Sequence, residues 1–253
     1  MASNRMPHLI QWIGTPGLQW GCSWNAKLRN QPKLCNLLRM CFEEKRSRSI
    51  RGNYDRIAAE YARRLADELQ HKPLDRELLD RLAASTAGRG AVCDVGCGPG
   101  HVARYLRDAG ADIFGLDLSP GMLEQARALH PEMRFVEGNL LALPLEDNSL
   151  AGIAAFYAIV NLPEPALPQV FAEMRRVLQP DGVLLLAFHV GDEARHVTEM
   201  WGCATDLDFF FFAPTMIRRL LEAAGLRVEE TIERDPYPDV EHPSRRAYIW
   251  ARK

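Results

Sequence analysis

VCDVGCGPGH, residues 92–101, reads as a short apolar strand with an acidic residue near its end, then glycines at 96, 98 and 100 that open a helix. Such a turn lets a ligand approach bare backbone, and in a doubly wound sheet it lies at the carboxyl edge where ligands bind. The nicotinamide-dinucleotide fingerprint needs GxGxxG. From Gly96 this chain reads GCGPGH, with His101 in the last position, which departs from that pattern.

Outward from this turn the pattern alternates. Strands are expected at Ala91 to Val95, Asp112 to Leu116, Arg134 to Val136, Leu150 to Phe156 and Val183 to Phe188. Helices are expected between them at His101 to Ala109, Pro120 to Leu129 and Pro165 to Leu178. Alternation of this kind predicts a parallel sheet covered by helices on both faces. The rhythm then changes: a helix from Pro214 to Ala224, a strand from Leu226 to Ile232, and a Pro-containing loop to a strand at Ala247 to Ala251 with no helix between. Two strands joined that way are expected to be antiparallel. The fold predicted is α/β, Rossmann-like and seven-stranded, six strands parallel and one antiparallel. The stretch Val190 to Phe212, with its run of four phenylalanines at 209–212, is expected to form a lid over the sheet edge.

Upstream, Ile57, Tyr61, Leu65 and Leu69 recur at four-residue spacing behind Asn53, which predicts a capped amphipathic helix. Residues 1–51 differ in composition, with nine basic residues, only Glu43 and Glu44 acidic, and three of the five tryptophans. They are taken as a basic N-terminal extension to a domain at 52–253. Targeting segment and lineage-specific extension both fit that composition.

The whole chain has 253 residues, 47% hydrophobic and 25% charged, with net charge -2, so no chain-wide positive field recruits nucleic acid. The longest apolar stretch, Leu150 to Val160, is too short to cross a bilayer. Six scattered cysteines without a CxxC pair suit a reducing compartment, and a soluble cytoplasmic protein without metal is expected.

Two further segments carry polar groups to the same edge. GLDLSPGML, residues 115–123, puts Asp117 just past the second strand, where a carboxylate accepts both hydroxyls of a ribose or caps the next helix. FVEGNLLALPLEDNSL, residues 135–150, puts Asn139 after the third strand. With VLQPDGVLLLAF before the fifth strand, these motifs stand in the order and spacing of class I S-adenosylmethionine-dependent methyltransferases. The chain from about Tyr54 to Lys253 resembles that family, most closely the branch holding ubiquinone and menaquinone C-methylases and other small-molecule methylases.

The resemblance implies that Asp94, Gly96, Cys97, Gly98 and Gly100 line the methionine end of S-adenosyl-L-methionine, and that Asp117 holds the ribose. It implies that Leu118 and Met122 flank the adenine, with Asn139 and Leu140 at its edge. Most relatives carry Asp at the position of Asn139, so a charge-assisted contact is lost there. Tyr61 falls in the lead-in helix that closes over the cofactor in relatives, or is a core aromatic at helical spacing.

For the chemistry, His189 after the fifth strand is the expected base, because its ordinary pKa suits the task, and Tyr157 after the fourth strand is the second catalytic candidate. Asn161, Asp235, Tyr237, Glu241 and His242 fall at the same edge, and Arg245 or Arg246 is expected to bind a substrate anion or to pair with Glu241. The acceptor expected is a small, partly apolar molecule. Methylation of RNA through the basic extension, and cofactor binding without catalysis, remain the alternatives.

Overall fold

The computed structural model describes residues 32–238 and 240–253, with side chains from residue 43 onward. The expectations for residues 1–31 lie outside the described residues. Lys45–Lys253 form one compact unit, to which everything below refers.

The strands are β1 (Val92–Val95), β2 (Ile113–Asp117), β3 (Phe135–Glu137), β4 (Leu150–Phe156), β5 (Leu178–His189), β6 (Ala194–Met200), β7 (Cys203–Phe210), β8 (Arg227–Arg234) and β9 (Arg246–Arg252). The helices are α1 (Pro32–Leu65), α2 (Pro73–Thr86), α3 (His101–Asp108), α4 (Pro120–Leu129), α5 (Leu167–Val177) and α6 (Pro214–Ala223). Seven strands form one sheet in the order β3-β2-β1-β4-β5-β9-β8. β9 runs antiparallel to both of its neighbours and the other six run parallel, as the sequence predicts. Strand order reverses between β1 and β4, so the crevice beyond their carboxyl ends is where such a sheet binds ligands.

Alternation along the central strands builds two cores. Leu184 and Leu186 of β5 face Phe171 and Met174 of α5 and Ile217 and Leu221 of α6. Val183 and Leu185 face Leu79 and Leu82 of α2 and Leu106 of α3. All of these side chains are fully buried. Each contributes about 1.5–3 kcal/mol by leaving water.

Three local features depart from the sequence reading. Helix α1 runs without interruption through Asn53, so that residue is not a helix cap. The charged residues before it are good helix formers, and its amide is used elsewhere. Strand β5 begins at Leu178, well before Val183, and a bulge between its first pair with Leu150 and its next with Gly152 absorbs Asp181 at φ +58. The stretch from Val190 to Phe212 contains a two-stranded antiparallel hairpin, β6 and β7, which the sequence reading left without strands. Trp201 and Gly202, at φ +54 and +83, make its two-residue turn, as a primed turn requires.

The hairpin is tied to the domain by side chains that imitate strand partners. The Asn53 side chain accepts from Asp206 N (2.8 Å) and donates to Asp206 O (3.2 Å), and Arg56 donates to Ala204 O (2.8 Å). Asn161 donates to Asp208 O (2.8 Å) while Phe210 N donates to Val160 O (2.7 Å). Asn53→Ala deletes two of these bonds, so amide exchange across β7 is expected to accelerate roughly tenfold or more while β4 and β5 stay protected. Equal protection of β7 in the variant would remove Asn53 from this role.

Candidate functional site

The turn after β1 owes its shape to crowding. Gly96 has φ +73, and a Cβ there would lie 2.9 Å from the Cβ of Ala158. Gly100 has φ +86, and a Cβ there would meet the rings of Phe135 and His130. Gly100 is thus fixed by packing and by its left-handed backbone, and it does not line the main cavity. Cys97 is buried among Ala103, Leu123 and Phe135. Asp94 is buried as well, and its Oδ2 accepts from Ala103 N at 3.0 Å, capping the first turn of α3. Burial pushes its carboxyl up to about 7, against the opposing pull of His101 and that N–H. Asp94, Cys97 and His101 line a small cavity of about 30 Å³ beside the turn.

A cavity of about 750 Å³ opens past the carboxyl ends of β1, β2 and β4. It brings together Tyr61, Gly96, Gly98, Asp117, Leu118, Met122, Asn139 and Leu140 with Tyr157 and His189, residues drawn from motifs far apart in sequence. Asp117 organises one end. Its Oδ2 accepts from Gly98 N and its Oδ1 from Ser119 N, both at 2.8 Å. Burial raises its pKa, and those backbone donors oppose the rise. A carboxylate has about four acceptor directions, so acceptor capacity remains beyond the backbone donors of Gly98, Leu118 and Ser119. Asn139 is occupied by the protein, accepting from Leu141 N (3.0 Å) and donating to Ser47 Oγ (3.2 Å).

Helix α1 closes this end, and the residues that fix it there were not singled out from the sequence. Asp55 Oδ1 accepts from Ser119 Oγ (2.6 Å) and Gly121 N (2.8 Å), so α1 supplies a second cap to α4. That contact sets Tyr54 and Tyr61 over the cavity, ring centroids 6.1 Å apart and edge to face. Trp201 at the hairpin turn meets Tyr61 edge to face at 5.7 Å. The Tyr54 hydroxyl donates to Asn161 Oδ1 at 2.8 Å, which links α1 to the loop after β4. The signal in the sequence was YDRIAAEY, where aromatic and acidic residues share one face of a helix.

The opposite end is built on charged groups that are almost wholly buried. Glu241 accepts from Arg234 Nη1 and Nη2 (2.6 and 2.9 Å) and from Tyr237 N (2.9 Å). Arg246 Nε lies 3.4 Å and Lys72 Nζ 3.6 Å from the same carboxylate. Lys72 also donates to Glu68 (2.6 Å), whose other oxygen meets His101 Nε2 at 2.8 Å. The expected pairing of Arg246 with Glu241 is present, whereas Arg245 pairs with Glu233 and Asp235. Tyr237 is turned away, its hydroxyl accepting from Leu74 N.

Tyr157 and His189 face one another here, with ring centroids 4.9 Å apart. Tyr157 follows β4 at φ +56, a strained backbone of the kind found at binding sites. Burial pushes its phenol up to about 12, and its hydroxyl has no partner among the described residues. Burial, together with Arg246, His242 and Lys72, lowers the His189 imidazole to about 3. The ring is therefore neutral at physiological pH and a weak base, which removes the argument for a pKa suited to general-base work. The phenylalanine run divides: Phe212 joins the core under the sheet, while Phe209 and Phe211 line the cavity. Among the described residues no cluster of His, Cys, Asp and Glu has metal-site geometry, and no helix is long and apolar enough to cross a membrane.

Comparison with known proteins agrees with this geometry. Residues 92–182 match the family described as a methyltransferase domain. A malonyl-[acyl-carrier protein] O-methyltransferase of Enterobacter lignolyticus is 31% identical over 147 residues, 57% of this chain and 58% of that protein. A demethylmenaquinone methyltransferase of Renibacterium salmoninarum is 32% identical over 146 residues, 57% of this chain and 60% of that protein. The chain thus spans about six-tenths of the length of these relatives. A SAM-dependent methyltransferase from Methanosarcina mazei shares the fold, with a TM-score of 0.59 at 15% identity over 64% of this chain and 92% of that one. Residues 92–182 thus match a methyltransferase domain, and the chain has the fold of solved S-adenosylmethionine-dependent methyltransferases.

Proposed function

We propose that, on the premise of this domain, the chain transfers the methyl group of S-adenosyl-L-methionine to a small-molecule acceptor by direct in-line displacement. The observation that carries the reading is the cavity of about 750 Å³, which is lined both by Asp117, Gly96 and Gly98 and by Tyr157 and His189. The donor set fits the cofactor. Asp117 has acceptor capacity for ribose hydroxyls, and Leu118, Met122 and Leu140 offer apolar walls for a flat base. Asp94 supplies an acidic group beside the glycine turn for an ammonium. The rings of Tyr54, Tyr61 and Trp201 suit a cationic centre.

When bound, the cofactor supplies an electrophilic methyl group on a sulfonium, so no covalent enzyme intermediate is needed. The work of the chain is to position and to exclude water. The hairpin β6–β7 and α1 cover the cavity with Trp201, Phe209, Phe211 and Tyr54, and orientation of this kind supplies roughly 7–11 kcal/mol of a barrier. Tyr157, on its strained backbone, and His189 stand where an acceptor would be oriented.

Calorimetry with S-adenosylhomocysteine is expected to show one site per chain. Labelled methyl from S-adenosyl-L-methionine is expected to enter the small-molecule fraction of a cell extract. No binding to folded protein refutes the cofactor site, and label confined to RNA or protein refutes the acceptor class.

A further inference from the structure

Two polar side chains from distant parts of the chain meet in the lining of the large cavity, Asn139 after β3 and Ser47 on α1. The backbone sets the orientation of the Asn139 amide. Leu141 N can only donate, so the atom it meets at 3.0 Å is the oxygen Oδ1. The nitrogen Nδ2 then points at Ser47 Oγ, 3.2 Å away, and donates to it. Two capacities are left over: Oδ1 keeps a second lone pair, and the Ser47 hydroxyl keeps its hydrogen. Ser47 makes no other hydrogen bond among the described residues, not even to the carbonyl one turn back that a helical serine often takes.

Helix α1 delivers this hydroxyl by its periodicity. Ser47, Arg51 and Asp55 recur at four-residue spacing and so share one face. Arg51 Nη1 donates to Glu137 at the end of β3 (2.8 Å), while Asp55 Oδ1 accepts from Ser119 Oγ and Gly121 N at the start of α4 (2.6 and 2.8 Å). That face is thereby pinned at two places, which leaves Ser47 against Asn139. Ile50 of the same helix joins Leu118, Met122 and Leu140 among the apolar residues that line the cavity. An adenine held by such walls shows an amino donor beside a ring-nitrogen acceptor, N1, at its Watson–Crick edge. Asn139 and Ser47 offer the reverse pair, an amide oxygen that accepts and a hydroxyl that donates.

We propose that Ser47 reads the base of the cofactor, its hydroxyl donating to N1 of the adenine while Asn139 Oδ1 accepts from the 6-amino group. The inference rests on the S-adenosyl-L-methionine reading of the cavity and adds a recognition residue that lies outside the matched segment, residues 92–182. It gives α1 a share in selecting the cofactor as well as covering it. An amide in place of a carboxylate forfeits the charge-assisted contact to the amino group, and the hydroxyl offsets part of that loss with a second contact.

The test is a cycle between side chain and ligand atom. Calorimetry on the full chain compares S-adenosylhomocysteine with its 1-deaza analogue, in which N1 is replaced by C–H. Wild type is expected to bind the analogue about fivefold more weakly, the effect of one neutral hydrogen bond. Ser47→Ala is expected to lose about the same factor toward S-adenosylhomocysteine and almost nothing further toward the analogue, so the two changes do not add. Alanine is the better helix former, so α1 is retained in the variant, and thermal midpoints recorded without ligand check it. A Ser47 that acts only by holding Asn139 would lower both affinities by the same factor, and that result overturns the proposal. So does equal binding of the two ligands by wild type, or an unchanged affinity for S-adenosylhomocysteine in Ser47→Ala. The same titrations separate this assignment from the reading beneath it: if wild type does not bind S-adenosylhomocysteine the cofactor site itself is refuted, and if it binds but the two changes add, only the role of Ser47 falls.

Discussion

Asp117→Ala is expected to weaken S-adenosylhomocysteine binding by at least about a hundredfold, which corresponds to about 2.7 kcal/mol. Hydrogen bonds to a charged group contribute about 1.5–3 kcal/mol each, and the proposed ribose contact uses two. The carboxylate also fixes the turn that forms the cradle, because it accepts from Gly98 N and Ser119 N at 2.8 Å. Gly98 sits at φ +52, a backbone held in place by that bond. Asp117→Asn keeps one oxygen acceptor and the shape but loses the charge, so its affinity should fall between those of the wild type and Asp117→Ala. Calorimetry on all three proteins, with thermal midpoints recorded without ligand, separates a lost ligand contact from a lost fold. An unchanged affinity in a folded Asp117→Ala protein would show that the ribose is held elsewhere.

What was legible in the sequence follows from how locally each feature is determined. Strand β4 and its neighbours are runs of apolar residues bounded by turns, so the parallel sheet could be read from alternation alone. The reversal of direction at β9 followed from the missing helix between it and β8. The hairpin was not legible, because β6 is almost entirely exposed and shows no apolar alternation. Its strands are specified by partners far away in sequence, Asn53 and Asn161, whose amides stand in for backbone. At the site, Asp117 and the glycines were readable because a motif fixes their geometry. His189 was placed correctly at the carboxyl edge of β5, but its chemistry depended on Arg246, His242 and Lys72, which come from other parts of the chain. The rest of the buried charged cluster around Glu241 escaped for the same reason: Lys72, Asp75 and Arg234 look like ordinary surface residues until α2, β8 and the loop before β9 bring them together.

Glu241→Ala tests that cluster and is expected to cause the largest loss of stability of any single change at the site. The carboxylate is only 1% exposed and is the common partner of Arg234, Arg246 and Lys72. Removing one member of a buried ion pair typically costs about 3–5 kcal/mol, because the remaining charges stay buried without a partner. For a domain of this size each kcal/mol moves the midpoint by about 2–4 °C, so a fall of roughly 6–20 °C is expected at pH 7. The acid response has a definite sign. Burial alone would raise Glu68, but His101 and Lys72 outweigh it and hold the carboxyl at about 2, and Arg234 and its neighbours likewise hold Glu241 low. Groups depressed in the folded state contribute fully above the unfolded value near 4.5, and that contribution is lost as pH falls toward about 2. Asp75 runs the other way, since burial raises it despite Tyr248, Lys72 and Arg234, and it offsets part of the loss. Wild type should therefore lose stability between about pH 4.5 and 2 more steeply than Glu241→Ala, which lacks one of the two depressed carboxyls. Thermal unfolding followed by circular dichroism at pH 7, 4.5 and 3 reads both effects. A midpoint within about 2 °C of wild type at pH 7 would mean that Arg234 and Arg246 are satisfied without Glu241.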